Sequence, residues 1–103
     1  MSVAQAQVDV IAHIHALPGQ EAALRAVLES FVAPTRLEEG CLRYDLFVDV
    51  DQPTKFTFVE EWTSNEALNM HSNSTHIVEG RKLLPGLLDP ASPVWIQKLT
   101  KVK

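Results

Sequence analysis

The chain predicts an α+β sandwich with the element order β-α-β-β-α-β, an antiparallel sheet covered by helices on one face. Three observations predict it. Stretches near residues 8, 41, 55 and 94 read as strands from alternating apolar and polar residues. Two intervening stretches place apolar residues at helical spacing, and a turn-forming Asp-Gln-Pro-Thr joins the two middle strands. A length of 103 residues suits one compact domain, 1–103.

Each element has its own signal. Val8, Val10, Ala12, Ile14 and Ala16 alternate with Gln7, Asp9, Ile11, His13 and His15, giving a strand with one apolar and one mixed face. Leu17-Pro18-Gly19-Gln20 ends it. Leu24, Val27, Leu28, Phe31 and Val32 then form one buried helical stripe, and Glu21 suits the positive end of that helix. Pro34 implies an irregular or kinked segment, and Gly40 closes it. From Cys41 to Val50, Leu42, Tyr44, Leu46, Val48 and Val50 share one face, with Cys41, Arg43, Asp45, Phe47 and Asp49 on the other. After the turn at 51–54, Lys55 to Trp62 places Phe56, Phe58, Glu60 and Trp62 on one face. Thr63-Ser64-Asn65-Glu66 reads as a capping box, Thr63 and Glu66 satisfying free amides reciprocally. The helix it opens runs to His71, is interrupted at 72–75, and resumes from Ser74 or Thr75 through Leu84. Pro85-Gly86 and Asp89-Pro90 break the chain before a last strand, Val94 to Val102.

This order is that of the ferredoxin-like sandwich, whose sheet keeps one face free of helices. The aromatic and aliphatic side chains expected on that face call for a partner. A homodimer supplies one: two sheets face to face make a dimeric α/β barrel, with a cavity inside or beside each sheet.

Composition narrows the function classes. Hydrophobic residues at 46% and charged residues at 21% are ordinary for a globular protein. The formal net charge of -4 argues against nucleic acid and anionic membranes, which want a basic patch. Lys98, Lys101 and Lys103 read as a solvated edge. One cysteine, Cys41, excludes an internal disulfide, and a cytoplasmic location is expected. No stretch reaches the roughly 20 apolar residues of a membrane span, and no signal peptide is expected at the N-terminus. Without a GxGxxG or P-loop pattern, nucleotide, flavin and nicotinamide cofactors find no support.

Chemistry gathers in Phe56 to His76, FTFVEEWTSNEALNMHSNSTH. Glu60, between Phe58 and Trp62 on one face, is read as a desolvated acid or base with a raised pKa, or as a carboxylate paired with Arg43 or a lysine across the sheet. His71 and His76 stand five apart across a helix break, unlike an i, i+4 metal pair. A metal would also need a third ligand from His13, His15 or a carboxylate, so general-base, donor or capping roles are favoured. His13 and His15 share a strand face and either line a cavity or meet solvent. Tyr44 reads as core with a hydroxyl within reach of a ligand, and Cys41 as a buried structural thiol.

Three segments, VDVIAHIHALPGQEAALRAVL, PTRLEEGCLRYDLFVD and FTFVEEWTSNEALNMHSNSTHI, closely resemble the antibiotic biosynthesis monooxygenase (ABM) domain, in particular its small quinol monooxygenase-like members. The likeness runs from Val8 to about Leu99. It is most specific at Glu39 to Tyr44 and in the E-x-W-x-S-x-x-A-L-x-x-H pattern from Glu60 to His71, with a second His at 76. The resemblance implies a dimeric α/β barrel and oxidation of a small phenolic or quinol-type aromatic by O₂, with no metal or organic cofactor. In that chemistry the deprotonated substrate itself passes an electron to O₂. The resemblance makes Trp62 and His71 pocket residues, Glu60 and His76 acid/base or orienting groups, and Tyr44 and Phe58 wall; Glu60, His71 and His76 become the catalytic candidates. Haem-degrading relatives place a tryptophan where His71 stands and a ligating histidine near Arg81, so that activity is disfavoured. An isomerase or processing enzyme for a small phosphorylated signalling metabolite shares the pattern but wants a basic pocket, with Arg43, Arg81 and Lys82 on offer. A non-catalytic small-molecule-binding dimer is the reading from another class.

Overall fold

The computed structural model describes residues 6–103. The part of the signal-peptide expectation that falls on residues 1–5 lies outside the described residues. The elements are β1 (Val8–His15), α1 (Glu21–Ser30), α2 (Val32–Arg36), β2 (Cys41–Val48), β3 (Lys55–Trp62), α3 (Asn65–Ser72), α4 (Thr75–Arg81) and β4 (Trp95–Leu99). The sheet order is β2-β3-β1-β4, and every neighbour pair is antiparallel. This is the ferredoxin-like α+β sandwich that the pattern predicts, with each helical stretch divided in two and the sheet left open rather than closed.

Parity along the strands decides what is buried. Val10, Ala12 and Ile14 of β1 face the helices with Phe56, Phe58, Glu60 and Trp62 of β3, while Leu24 and Leu28 of α1 and Ile77 of α4 close the core from above. Trp62, Leu24 and Leu28 are fully buried. Each such side chain contributes about 1.5–3 kcal/mol by leaving water. No helix among the described residues is long and apolar enough to cross a membrane.

One local expectation, the irregularity near Pro34, is located and three others are corrected. The first helical stretch breaks at Phe31 because Pro34, lacking an N–H, cannot bond the carbonyl of Ser30, where α1 ends; Pro34 sits instead in the first turn of α2. A register shift between Cys41 and Arg43 pairs Cys41 with Trp62, so Cys41 packs against the core while Leu42 is 55% exposed. The cap of α3 is Ser64, whose side chain accepts from Ala67 N at 3.1 Å; Thr63 donates its own N–H to Gly40 O at 2.9 Å, one residue too early to cap. Finally, α4 stops at Arg81 and loosens into single turns, since Pro85 biases Leu84 away from helical geometry. The outer strands are also shorter than predicted: β2 ends at Val48, leaving Val50 98% exposed, and β4 covers only Trp95–Leu99.

Candidate functional site

Between the helices and the β1–β4 side of the sheet lies a mostly apolar cleft of about 250 Å³. Phe31, Tyr44, Phe58, Glu60 and His71 line it, with Arg81 and Lys98 among its polar members. The strand register explains the gathering: Tyr44, Glu60, Val10 and Lys98 form one cross-sheet row on the helix-facing side. The cavity therefore lies beside the sheet, under the helices.

Glu60 is 5% exposed and accepts a hydrogen bond from Trp62 Nε1 at 3.0 Å. Burial pushes its carboxyl up to about 7, against the opposing Trp62 hydrogen bond and with added repulsion from Glu38. The ion-pair alternative is not realised: Arg43 goes instead to Asp45 at 2.7 Å and Glu61 at 3.6 Å on the other face. Trp62 itself is fully buried behind Glu60 and does not line the cleft.

His71 and His76 arrive from α3 and α4 on either side of the break at 73–74, and both meet one residue the sequence reading missed. Glu38 Oε2 lies 2.8 Å from His71 Nδ1 and 2.9 Å from His76 Nε2. A carboxylate only accepts, so both facing nitrogens carry protons, and Nε2 of His71 is left with the lone pair. No buried side-chain nitrogen or oxygen among the described residues lacks a partner. His71 Nε2 and the second oxygen of Glu60, which have no hydrogen-bond partner among the described residues, are therefore not fully buried, and both residues line the cleft. Burial lowers the His71 pKa, opposed by Glu38, so the ring favours its neutral form. His76 does not line the cleft; it stands behind, with the Thr35 hydroxyl 3.0 Å from its Nε2.

Gly40 makes the Glu38 contact possible. Its φ of +87° suits glycine, and a Cβ there would sit 2.5 Å from Ala67 Cβ and 2.8 Å from Thr63 Oγ1. The turn after α2 can thus press against the start of α3 and bring Glu38 under His71. Thr35, fully buried on α2, was also missed. The available signal was a carboxylate two residues before a glycine in the helix-to-strand turn, next to the motif already singled out.

Aromatic rings complete the walls. Tyr44 stacks on Phe58 with centroids 4.7 Å apart, and the His71 ring lies 4.7 Å from Trp62 and 5.4 Å from Tyr44. Burial, with the charges of Glu60 and Glu38, pushes the Tyr44 phenol far above its ordinary range, so it remains a protonated donor. His13 takes the other side of the sheet, stacked on Trp95 at 5.2 Å and 3.1 Å from the Thr57 hydroxyl. Neither His13 nor His15 lines the cleft.

A buried carboxyl poised near neutrality, a neutral imidazole with a free lone pair and a phenol donor can together move protons on a small molecule held among aromatic rings. Fold and site define a ferredoxin-like α+β protein with a small-molecule cleft. The profile of the antibiotic biosynthesis monooxygenase family matches residues 8–83. The chain belongs to that family, as the motifs indicate. Rv0793 of Mycobacterium tuberculosis, provisionally named a monooxygenase, is 38% identical over 81 residues, 79% of each chain. The solved structure of Rv0793 superposes with a TM-score of 0.86, covering 95% of this chain and 97% of its own. The structure of PA3566 from Pseudomonas aeruginosa gives a TM-score of 0.89 at 33% identity, covering 99% and 100%. YcnE of Bacillus subtilis, also provisionally named a monooxygenase, is 30% identical over 82 residues, 76% of this chain and 86% of its own. These likenesses support a monooxygenase-like function.

Proposed function

We propose that the protein is a cofactor-independent monooxygenase that oxidises a small phenolic or quinol-type aromatic with O₂. The observation that carries this reading is Glu60, a buried carboxyl raised to about 7 that lines an apolar, ring-walled cleft together with His71, whose Nδ1 is held by Glu38. Glu60 or His71 takes the proton of the substrate hydroxyl. The resulting anion is electron-rich enough to reduce O₂ by one electron, and the two radicals join at ring carbon. The protonated base returns its proton to the outer oxygen to give a ring hydroperoxide. A base then removes the hydrogen on the same ring carbon, the C–H electron pair forms the carbonyl as the O–O bond breaks, and the departing hydroxide takes up that proton and leaves as water. One oxygen atom enters the ring as a carbonyl, the other becomes water, and the substrate supplies all four electrons. Tyr44 donates to the developing oxyanion, while Phe58 and Phe31 hold the ring plane.

The test is oxygen uptake with a panel of menadiol and dihydroxynaphthalenes in the presence of a metal chelator. Uptake well above autoxidation supports the reading, and uptake at the autoxidation rate across the panel overturns it. Arg81 and Lys98 at the cleft favour a second reading, turnover of a small phosphorylated metabolite without oxygen. Conversion under anaerobic conditions would select it.

The functional unit we infer is a homodimer. On the helix-free face Phe47, Trp95 and Leu99 are 48%, 55% and 41% exposed, enough apolar surface to favour a covering copy. Light scattering at micromolar concentration should read the mass of two chains, and a monomer mass overturns this.

A further inference from the structure

Glu38, His71 and His76 come from three separate elements, the turn after α2, α3 and α4. Their Oε2, Nδ1 and Nε2 atoms all lie within 4.8 Å of one another. We propose that these three side chains bind one first-row divalent cation. The proposal is independent of the monooxygenase reading, and its test uses no substrate.

The donor set is the first reason. Two imidazole nitrogens and one carboxylate oxygen suit zinc, iron, cobalt, nickel and manganese, and leave the remaining coordination positions free. The spacing is the second. Neighbouring ligands on an octahedral ion with bonds of about 2.1 Å stand about 3.0 Å apart, and tetrahedral ones about 3.4 Å. The carboxylate oxygen is 2.8 and 2.9 Å from the two nitrogens. These two edges match an octahedral ion to within about 0.1–0.2 Å and a tetrahedral one less well, and the imidazole–imidazole separation, below 4.8 Å, sets how far the two rings must approach to complete the site.

The surroundings are the third reason. Carboxylate and imidazoles are partly buried, the side chains of Glu38 and His76 being 16% and 24% exposed, so an ion reaches them without unfolding the site. His71 is anchored from behind: its carbonyl accepts from the Ser74 hydroxyl at 2.7 Å, which fixes the helix break. The Thr35 hydroxyl, 3.0 Å from His76 Nε2, supplies a further neutral oxygen at the same place. Two protons now compete for one carboxylate oxygen. A single cation replaces both and satisfies all three ligands at once.

Occupancy has a consequence for the cleft. Metal on Nδ1 of His71 moves the ring proton to Nε2, so the atom facing the cleft changes from acceptor to donor. The ion and the His71 base thus exclude one another, while Glu60 remains available.

Co²⁺ alone is the probe, titrated into the chelator-treated full chain. We expect saturable uptake of one Co²⁺ per chain, visible absorption from the bound ion, and broadening of the His71 and His76 ring signals without that of His15. Glu38→Gln and His76→Ala should each weaken binding at least about tenfold, with His13→Ala unchanged and circular dichroism confirming the fold of each variant. The absence of saturable uptake, or broadening of His13 and His15 instead, overturns the proposal. So does binding that folded Glu38→Gln and His76→Ala retain in full. The ring-signal readout uses the unaltered chain, so a variant that fails to fold leaves the test decisive.

Discussion

Glu60 and Glu61 are neighbours on β3, yet they inhabit different chemical worlds. Glu61 points to the helix-free face, where its side chain is 35% exposed and Arg43 stands 3.6 Å away. Glu60 points beneath the helices, is 5% exposed, has an indole N–H for company and forms no ion pair among the described residues. The histidines repeat the contrast. His13 lies on the helix-free face against Trp95, while His71 is buried against Glu38. Residue type is the same on both faces; the covering helices make the difference, by removing water from one side of the sheet.

The largest expected effect tests that contrast directly. Glu60→Gln should lower enzyme-dependent oxygen uptake by about 10²–10⁴-fold, the usual contribution of a positioned acid or base, and Glu61→Gln should leave it within about twofold. Equal losses in both would remove the distinction between the faces. The same pair separates in stability against pH. The Glu60 carboxyl is raised from 4.5 to about 7, so between those values the folded chain holds a proton that the unfolded chain has released. Stability should therefore fall as pH rises through that window, by up to about 3 kcal/mol. Glu60→Gln should flatten this slope and Glu61→Gln should keep it, as read by urea midpoints from pH 5 to pH 8. A slope that survives in Glu60→Gln belongs to another group.

Much of this contrast was legible in the sequence, because period-two alternation assigns strand faces with no tertiary information. Parity alone puts Phe58 and Glu60 on one face of β3 and Tyr44 on the apolar face of β2, without saying which face the helices cover, and parity holds wherever the ladder is regular. It failed at Leu42, where a one-residue bulge changes which side chain faces inward. The cap of α3 was displaced by one residue because Thr63 and Ser64 are both good caps, and only the bond from Thr63 N to Gly40 O distinguishes them. Glu38 was invisible for a different reason. Its meeting with His71 spans 33 residues and depends on how closely a glycine turn packs against a helix, a tertiary fact with no periodic signature. The spacing of His71 and His76 argued against a shared partner on one continuous helix. The break at 73–74 is what allows them to share one.

A smaller effect should come from the cover itself. Gly80, on α4, lies against Phe31, and a Cβ at this position would collide with the Cε1 edge of the Phe31 ring. Two terms compete in Gly80→Ala. Helix propensity favours alanine by about 1 kcal/mol, whereas overpacking a filled core costs about 1–3 kcal/mol. Phe31 is 6% exposed and 6.4 Å from Phe58, so its ring has little space to retreat except into the cleft it lines. Overpacking should win, with a net loss of about 1–2 kcal/mol in urea unfolding. Shortening the obstructing ring should recover part of this, so Phe31→Leu and Gly80→Ala combined should cost less than the sum of the two alone. A stabilised Gly80→Ala would mean that the ring yields freely. The fit of α4 over the sheet would then be looser than the burial of Glu60 requires.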